Sequence, residues 1–133
     1  MITISLARRV ERIEALKAEL SAEAATQLHA IPCDITREED ILAAYHSGGV
    51  DVQINFAGIA RHTVRVLQPN NTQDLRDIIN TNLLGLALCS REAYLSMQNR
   101  SVDGHIVHIN SIAGHSISPL NTLNIYPAAE RKV

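Results

Sequence analysis

Val50-Asp51-Val52-Gln53-Ile54-Asn55-Phe56-Ala57-Gly58 decides the class of fold. Val50 to Phe56 reads as a strand, and it closes on two small residues that mark a turn. Working upstream, His29-Ala30-Ile31-Pro32-Cys33 is a second strand candidate, and Met1-Ile2-Thr3-Ile4-Ser5-Leu6 a third with the look of a buried one. Between those two, Val10 to Leu20 places Val10, Ile13, Leu16, Lys17 and Leu20 on one helical face. After Asp34-Ile35, Thr36 and Glu39 have capping-box spacing, so a helix is expected to start near Arg37. Ala43 to Gly49 leaves it little room. Downstream, Asn71 to about Met97 predicts one long helix, and His105 to Asn110 a last strand ending at Ser111. Strands alternating with helices read as α/β with a parallel sheet.

Composition agrees with one domain over residues 1–133: 46% hydrophobic and 20% charged residues suffice for a core. A formal net charge of -2 gives no electrostatic reason to expect nucleic acid or an anionic membrane as partner. The longest apolar run near the middle, Leu83 to Cys89, falls far short of the roughly 20 residues that span a bilayer, so no transmembrane helix is expected. Cys33 and Cys89 read as free thiols in a reducing, cytoplasmic compartment. His105-x-x-His108 is a poor chelate, because strand residues three apart point to opposite faces; no metal site is expected.

Six segments, in order, carry a resemblance that runs along essentially the whole chain: Ala7-Arg8-Arg9, Cys33-Asp34-Ile35, Ile54-Asn55-Phe56-Ala57-Gly58, Asn82-Leu83-Leu84-Gly85, Ile109-Asn110-Ser111-Ile112-Ala113-Gly114 and Tyr126-Pro127-Ala128. Their order and spacing resemble the landmarks of short-chain dehydrogenases/reductases. The wording of Leu6 to Leu16 and Asp103 to Gly114 is most similar to the farnesol dehydrogenase-like branch of that family. The resemblance implies an incomplete Rossmann-type, doubly wound parallel sheet. It also implies NADP(H)-dependent hydride transfer between a hydrophobic alcohol and its carbonyl.

Arg8 and Arg9 match the place where the family reads the adenosine ribose. A guanidinium there can bind a 2′-phosphate through charge-assisted, bidentate hydrogen bonds, where an NAD site would offer a carboxylate to the 2′-hydroxyl. Read without the resemblance, the two are solvated charges opening a helix. Asp34, with Ile35, matches the adenine edge and reads equally well as a turn residue. Asn55, Ala57 and Gly58 match the turn that approaches the dinucleotide; Phe56 stands where the family usually has a second asparagine. Among the catalytic positions, Tyr126 matches the proton donor/acceptor, Ser111 the serine that orients the substrate oxygen, and Asn82 the asparagine of the proton relay. The family's lysine, four residues after the tyrosine, is Glu130 here. Lys132 sits about 200° further round a helix and does not substitute for it.

None of Gly48, Gly49, Gly58, Gly85, Gly104 and Gly114 falls in a Gly-x-x-x-Gly-x-Gly loop of the kind that cradles pyrophosphate. The resemblance is therefore to a central piece of the family, without its first strand, its glycine-rich loop and its C-terminal part. In strand order 3-2-1-4-5-6 the sheet is then expected to close over a gap between Ile2–Leu6 and Val50–Phe56. Residues 74–97 are expected to form a helix apolar on more than one face, whose exposure predicts association, and the resemblance implies a homo-oligomer through that surface. The alternative function is a catalytically inactive truncated fragment, or a pseudoenzyme acting as an interaction module.

Overall fold

The computed structural model describes residues 1–46, 48–61, 65–116 and 125–131. The chain opens with strand β1 (Thr3–Ala7), helices α1 (Val10–Lys17) and α2 (Ala22–Gln27), strand β2 (Leu28–Pro32), helix α3 (Glu38–His46) and strand β3 (Val52–Asn55). Helix α4 (Thr72–Ile79) continues through a π-helical segment (Asn80–Gly85) into α5 (Leu86–Asn99); strand β4 (His105–His108), a 3₁₀ turn (Ile112–Gly114) and α6 (Ile125–Glu130) follow.

Several expectations are corrected here. Helix α1 ends at Lys17 because Ala18, Glu19 and Leu20 tighten onto the carbonyls three residues back, and Ser21 then caps a helix the sequence did not announce, its hydroxyl accepting from the Ala24 N–H at 3.3 Å. The capping box at Thr36 does not form. The Thr36 N–H that Glu39 would have accepted donates instead to Asp34 Oδ1 at 3.0 Å, as does the Thr36 hydroxyl at 2.8 Å, and the Glu39 carboxylate is taken by Arg37. Helix α3 nonetheless runs to His46, through the stretch expected to be too short for it. The long helix expected over 71–97 is interrupted by one widened turn, where Gly85 packs against the Ile35 carbonyl.

Among the described residues the sheet does not close over its gap: β1 pairs in parallel only with β2 (Leu6 opposite Ile31), and β3 in parallel only with β4 (Ile54 opposite Val107). Alternation along β3 sends Gln53 and Asn55 beneath the helices and leaves Val52 and Ile54 more than half exposed on the other face. The polar side is satisfied by a relay. Tyr45 Oη donates to Gln53 Oε1 (2.6 Å), Gln53 Nε2 to Asn55 Oδ1 (3.0 Å), Asn55 Nδ2 to Ser90 Oγ (3.0 Å), and Ser90 Oγ to the Leu86 carbonyl (2.7 Å).

One core joins the two strand pairs. Ile41 and Tyr45 of α3 meet Cys89, Ala93 and Met97 of α5 around Cys33, with Leu6 of β1 and Ile106 of β4 packed against them. Outside it, Arg91 Nη2 and Glu38 Oε1 form an ion pair at 2.7 Å that links α5 to α3. Cys33 and Cys89 are free and buried. Burial pushes the Cys33 thiol up to about 11, with smaller contributions from Cys89, Asp40 and Asp34, and burial likewise raises Cys89. These are packing thiols, not nucleophiles.

Candidate functional site

The carboxyl ends of β1, β2 and β3 each lead into a wall of one cavity of about 430 Å³. Arg8 follows β1, Asp34 and Thr36 follow β2, Ile59, Ala60 and Arg61 follow β3, and Asp77 and Thr81 close it from α4 and the π segment. In open parallel α/β sheets, ligands bind outside the carboxyl ends of the strands, and this is such a place.

Its charges are unequally committed. Arg61 is paired with Asp74 (3.5 Å) and Asp77 (3.4 Å). Arg8 is exposed and, among the described residues, has no carboxylate within ion-pair distance. Burial works against charge on Asp34, yet the Thr36 N–H (3.0 Å) and hydroxyl (2.8 Å), with the guanidinium groups of Arg8 and Arg37, hold its carboxyl below the usual range. The cavity thus offers an exposed guanidinium, a fixed carboxylate and a hydroxyl within a shell open to solvent.

Of the expected cofactor residues, Arg8 and Asp34 are in the cavity wall; Arg9, Ile35, Asn55, Ala57 and Gly58 are not. Asn55 is occupied beneath α5, and Ile35 packs against the core. Phe56 is 78% exposed, so its ring does not fill the site. Thr36, Ile59, Ala60, Arg61, Asp77 and Thr81 were missed. Their signal was adjacency: Ile59 to Arg61 continue the turn at Ala57-Gly58, and Thr81 precedes Asn82.

The expected catalytic residues sit beyond this cavity. Asn82 is completely buried, and its amide treats Ile59 as a strand neighbour would: Oδ1 accepts from the Ile59 N–H and Nδ2 donates to the Ile59 carbonyl, both at 2.8 Å. Nδ2 also donates to Glu130 Oε1 at 3.2 Å, and Glu130 is itself buried. Ser111 caps the 3₁₀ turn, its hydroxyl accepting from the Ala113 N–H at 3.2 Å. Tyr126 is half-buried on α6, which packs against that turn and against the π segment. Lys132 lies outside the described residues.

Parallel strands joined through helices, with the cavity at their carboxyl ends, define a Rossmann-type α/β protein. A family model for short chain dehydrogenase matches residues 1–130. The chain belongs to the short-chain dehydrogenase/reductase family. It is 51% identical to the farnesol dehydrogenase of Aedes aegypti over 100% of this chain and 56% of that protein. Against dehydrogenase/reductase SDR family member 11 of Homo sapiens it is 42% identical over 98% of this chain and 52% of that one. The closed form of a serine dehydrogenase complexed with NADP+ superposes with a TM-score of 0.81 at 27% identity, over 98% of this chain and 51% of the other. The chain spans about half the length of the curated relatives it matches.

The residues present fit the adenosine end of a nicotinamide dinucleotide. The volume, the hydroxyl and the carboxylate suit an adenine ribose, with the Arg8 guanidinium in the same wall. Among the described residues no glycine has a positive φ, and in the sequence none lies beside Arg8 or Asp34, so no glycine-rich backbone cradle for a pyrophosphate is seen among them.

Proposed function

We propose that the chain carries the adenosine-ribose portion of an NADP(H) site in an oxidoreductase that interconverts a hydrophobic alcohol and its carbonyl. The supporting observation is Arg8: an exposed guanidinium at the carboxyl end of β1, in the cavity wall near Asp34, with no carboxylate within ion-pair distance among the described residues. The similarity to a farnesol dehydrogenase supports an alcohol substrate, and the similarity to a structure complexed with NADP+ supports the cofactor. When bound, the dinucleotide supplies or accepts the hydride. Ser111 would orient the substrate oxygen and Tyr126 would exchange its proton. Free thiols fit a cytoplasmic setting, and the half-exposed Leu84 and Tyr94 on the 74–97 helical surface fit a homo-oligomer.

Thermal unfolding titrated with NADPH, and with NADH alongside, tests this reading, because a ligand of the native state raises stability by mass action. A rise with NADPH alone supports it. Indifference to both removes it.

Glu130 favours a second reading. The residue four after Tyr126, where the family has a lysine, is a buried glutamate hydrogen-bonded by Asn82, so that position supplies no cation. Cofactor binding without turnover by this chain would support a pseudoenzyme.

A further inference from the structure

We propose that Arg61 is a second anion ligand of the cavity, held back by Asp74 and Asp77 and handed over to a phosphate of the bound nucleotide. This rests on the reading of the cavity as a nucleotide site and deepens it. The charged groups of the wall are Arg8 and Arg61 against Asp34 and Asp77, so the shell has no net formal charge, whereas a nucleotide brings several negative ones. Asp34 is anchored by the Thr36 N–H and hydroxyl. Arg61 is the group with freedom to change partner.

Its contacts are loose. Nη2 stands 3.4 Å from Asp77 Oδ2 and Nε 3.5 Å from Asp74 Oδ1, where charge-assisted N–H···O bonds close to about 2.8 Å. The three side chains are partly exposed, so water screens the attraction. Asp77 does not need Arg61 to stay in place, because Gln73 Nε2, one turn back on α4, donates to its other oxygen at 2.8 Å. A phosphate offers the guanidinium shorter, bidentate hydrogen bonds, and the carboxylates left behind are already in contact with water. Exchange of partners therefore favours the ligand.

A staple between the loop after β3 and α4 would use the same contacts, and the two roles differ in sign when the pair is broken from either end. A staple loses affinity both ways. An anion ligand loses it with Arg61→Gln and gains it with Asp74→Asn plus Asp77→Asn, which release the guanidinium. On the full chain, that double variant is expected to bind NADPH roughly three- to tenfold more tightly, within the range of two exposed ion pairs, and Arg61→Gln to bind it more weakly by a similar factor. In the Arg61→Gln background the two aspartate substitutions should change nothing. A gain that persists there reports only the general field of the carboxylates and overturns the proposal, as does a double variant that binds no better than the parent. NADH, titrated alongside, locates the phosphate: a gain confined to NADPH assigns Arg61 to the 2′-phosphate, an equal gain to the pyrophosphate, and either supports the proposal. Should the parent bind no NADPH, the nucleotide reading falls and inorganic pyrophosphate takes the ligand's place in the same cycle. An Arg61-dependent gain then sustains the anion site, and its absence overturns it.

Discussion

Replacing Gly85 by alanine sets two effects of known size against each other. Ala is the better helix former by about 1 kcal/mol, so an unconstrained site would gain stability. The structure denies it that freedom. A Cβ at residue 85 would sit 2.6 Å from the Ile35 carbonyl oxygen, 3.0 Å from the Asn80 carbonyl oxygen and 3.1 Å from Ile35 Cδ1. Ordinary contact begins near 3.4 Å, so the π segment must retreat by about 0.8 Å from the turn after β2. Two of the three obstacles are backbone and cannot rotate away, which places the cost at the upper end of overpacking, about 3 kcal/mol. The net loss is about 2 kcal/mol, or roughly 7 °C in melting temperature for a chain of this size. The same retreat moves Thr81 relative to Asp34 and Thr36, so NADPH stabilisation should shrink as well. Calorimetric melting with and without NADPH checks both. A Gly85→Ala protein that melts at or above the parent temperature refutes the reasoning, since propensity would then outweigh the contact.

Arg8→Ala should weaken NADPH by roughly tenfold to a hundredfold, the range of a charged hydrogen bond, and leave NADH unchanged by titration calorimetry. Asp34 has a folded pKa below its unfolded one, so its stabilisation is present above the unfolded value near 3.9 and lost as pH falls through the folded value. Asp34→Asn should accordingly flatten that part of the acid limb in urea unfolding. Cys33 runs the other way: with its folded pKa raised to about 11, its contribution is intact below the unfolded value near 8.5 and lost as pH climbs towards 11. At pH 8 a thiol reagent should therefore label the native protein far more slowly than the unfolded one. If 74–97 forms an interface, Leu84→Glu with Tyr94→Glu should lower the sedimenting mass to that of a monomer; an unchanged mass excludes this face.

Strand existence was legible in the sequence because β-branched runs ending on small residues need no tertiary information. Their ends were not: Val50 and Phe56 lie outside β3, where hydrogen bonding to β4 stops. Helix α2 was invisible for lack of a large apolar residue in Ala22–Gln27; only Ser21 marked it. The π segment could not be read either: Asn80, Thr81, Asn82 and Gly85 are poor helix formers, but composition does not give the width of a turn, and the wider turn coincides with contacts to Ile35 and Ile59, distant in sequence. Arg8 and Asp34 were legible because each directly follows a strand and its turn. Arg61 was not, because the carboxylates that hold it, Asp74 and Asp77, are distant in the sequence. Glu130 was read only as the residue at the family's lysine position, and its burial accompanies the close approach that Gly114 permits.

The cavity also bears on how the two strand pairs are held together. No ladder joins β1 to β3, so their relation rests on the α3–α5 core and on the loops. Arg8, Asp34 and Thr36 belong to the β1–β2 side of that seam, and Ile59 to Arg61, Asp77 and Thr81 to the β3 side. A ligand touching both sides is a cross-strut, and its binding free energy opposes any opening in which the pairs part. Stabilisation by RT ln(1 + [L]/Kd), about 2.7 kcal/mol at a hundredfold excess over Kd, should then appear as slowed exchange at β1 and β3 amides alike. A ligand held by one side alone would slow only that side. Exchange with NADPH present therefore distinguishes a nucleotide bound across the seam from one bound at Arg8 alone.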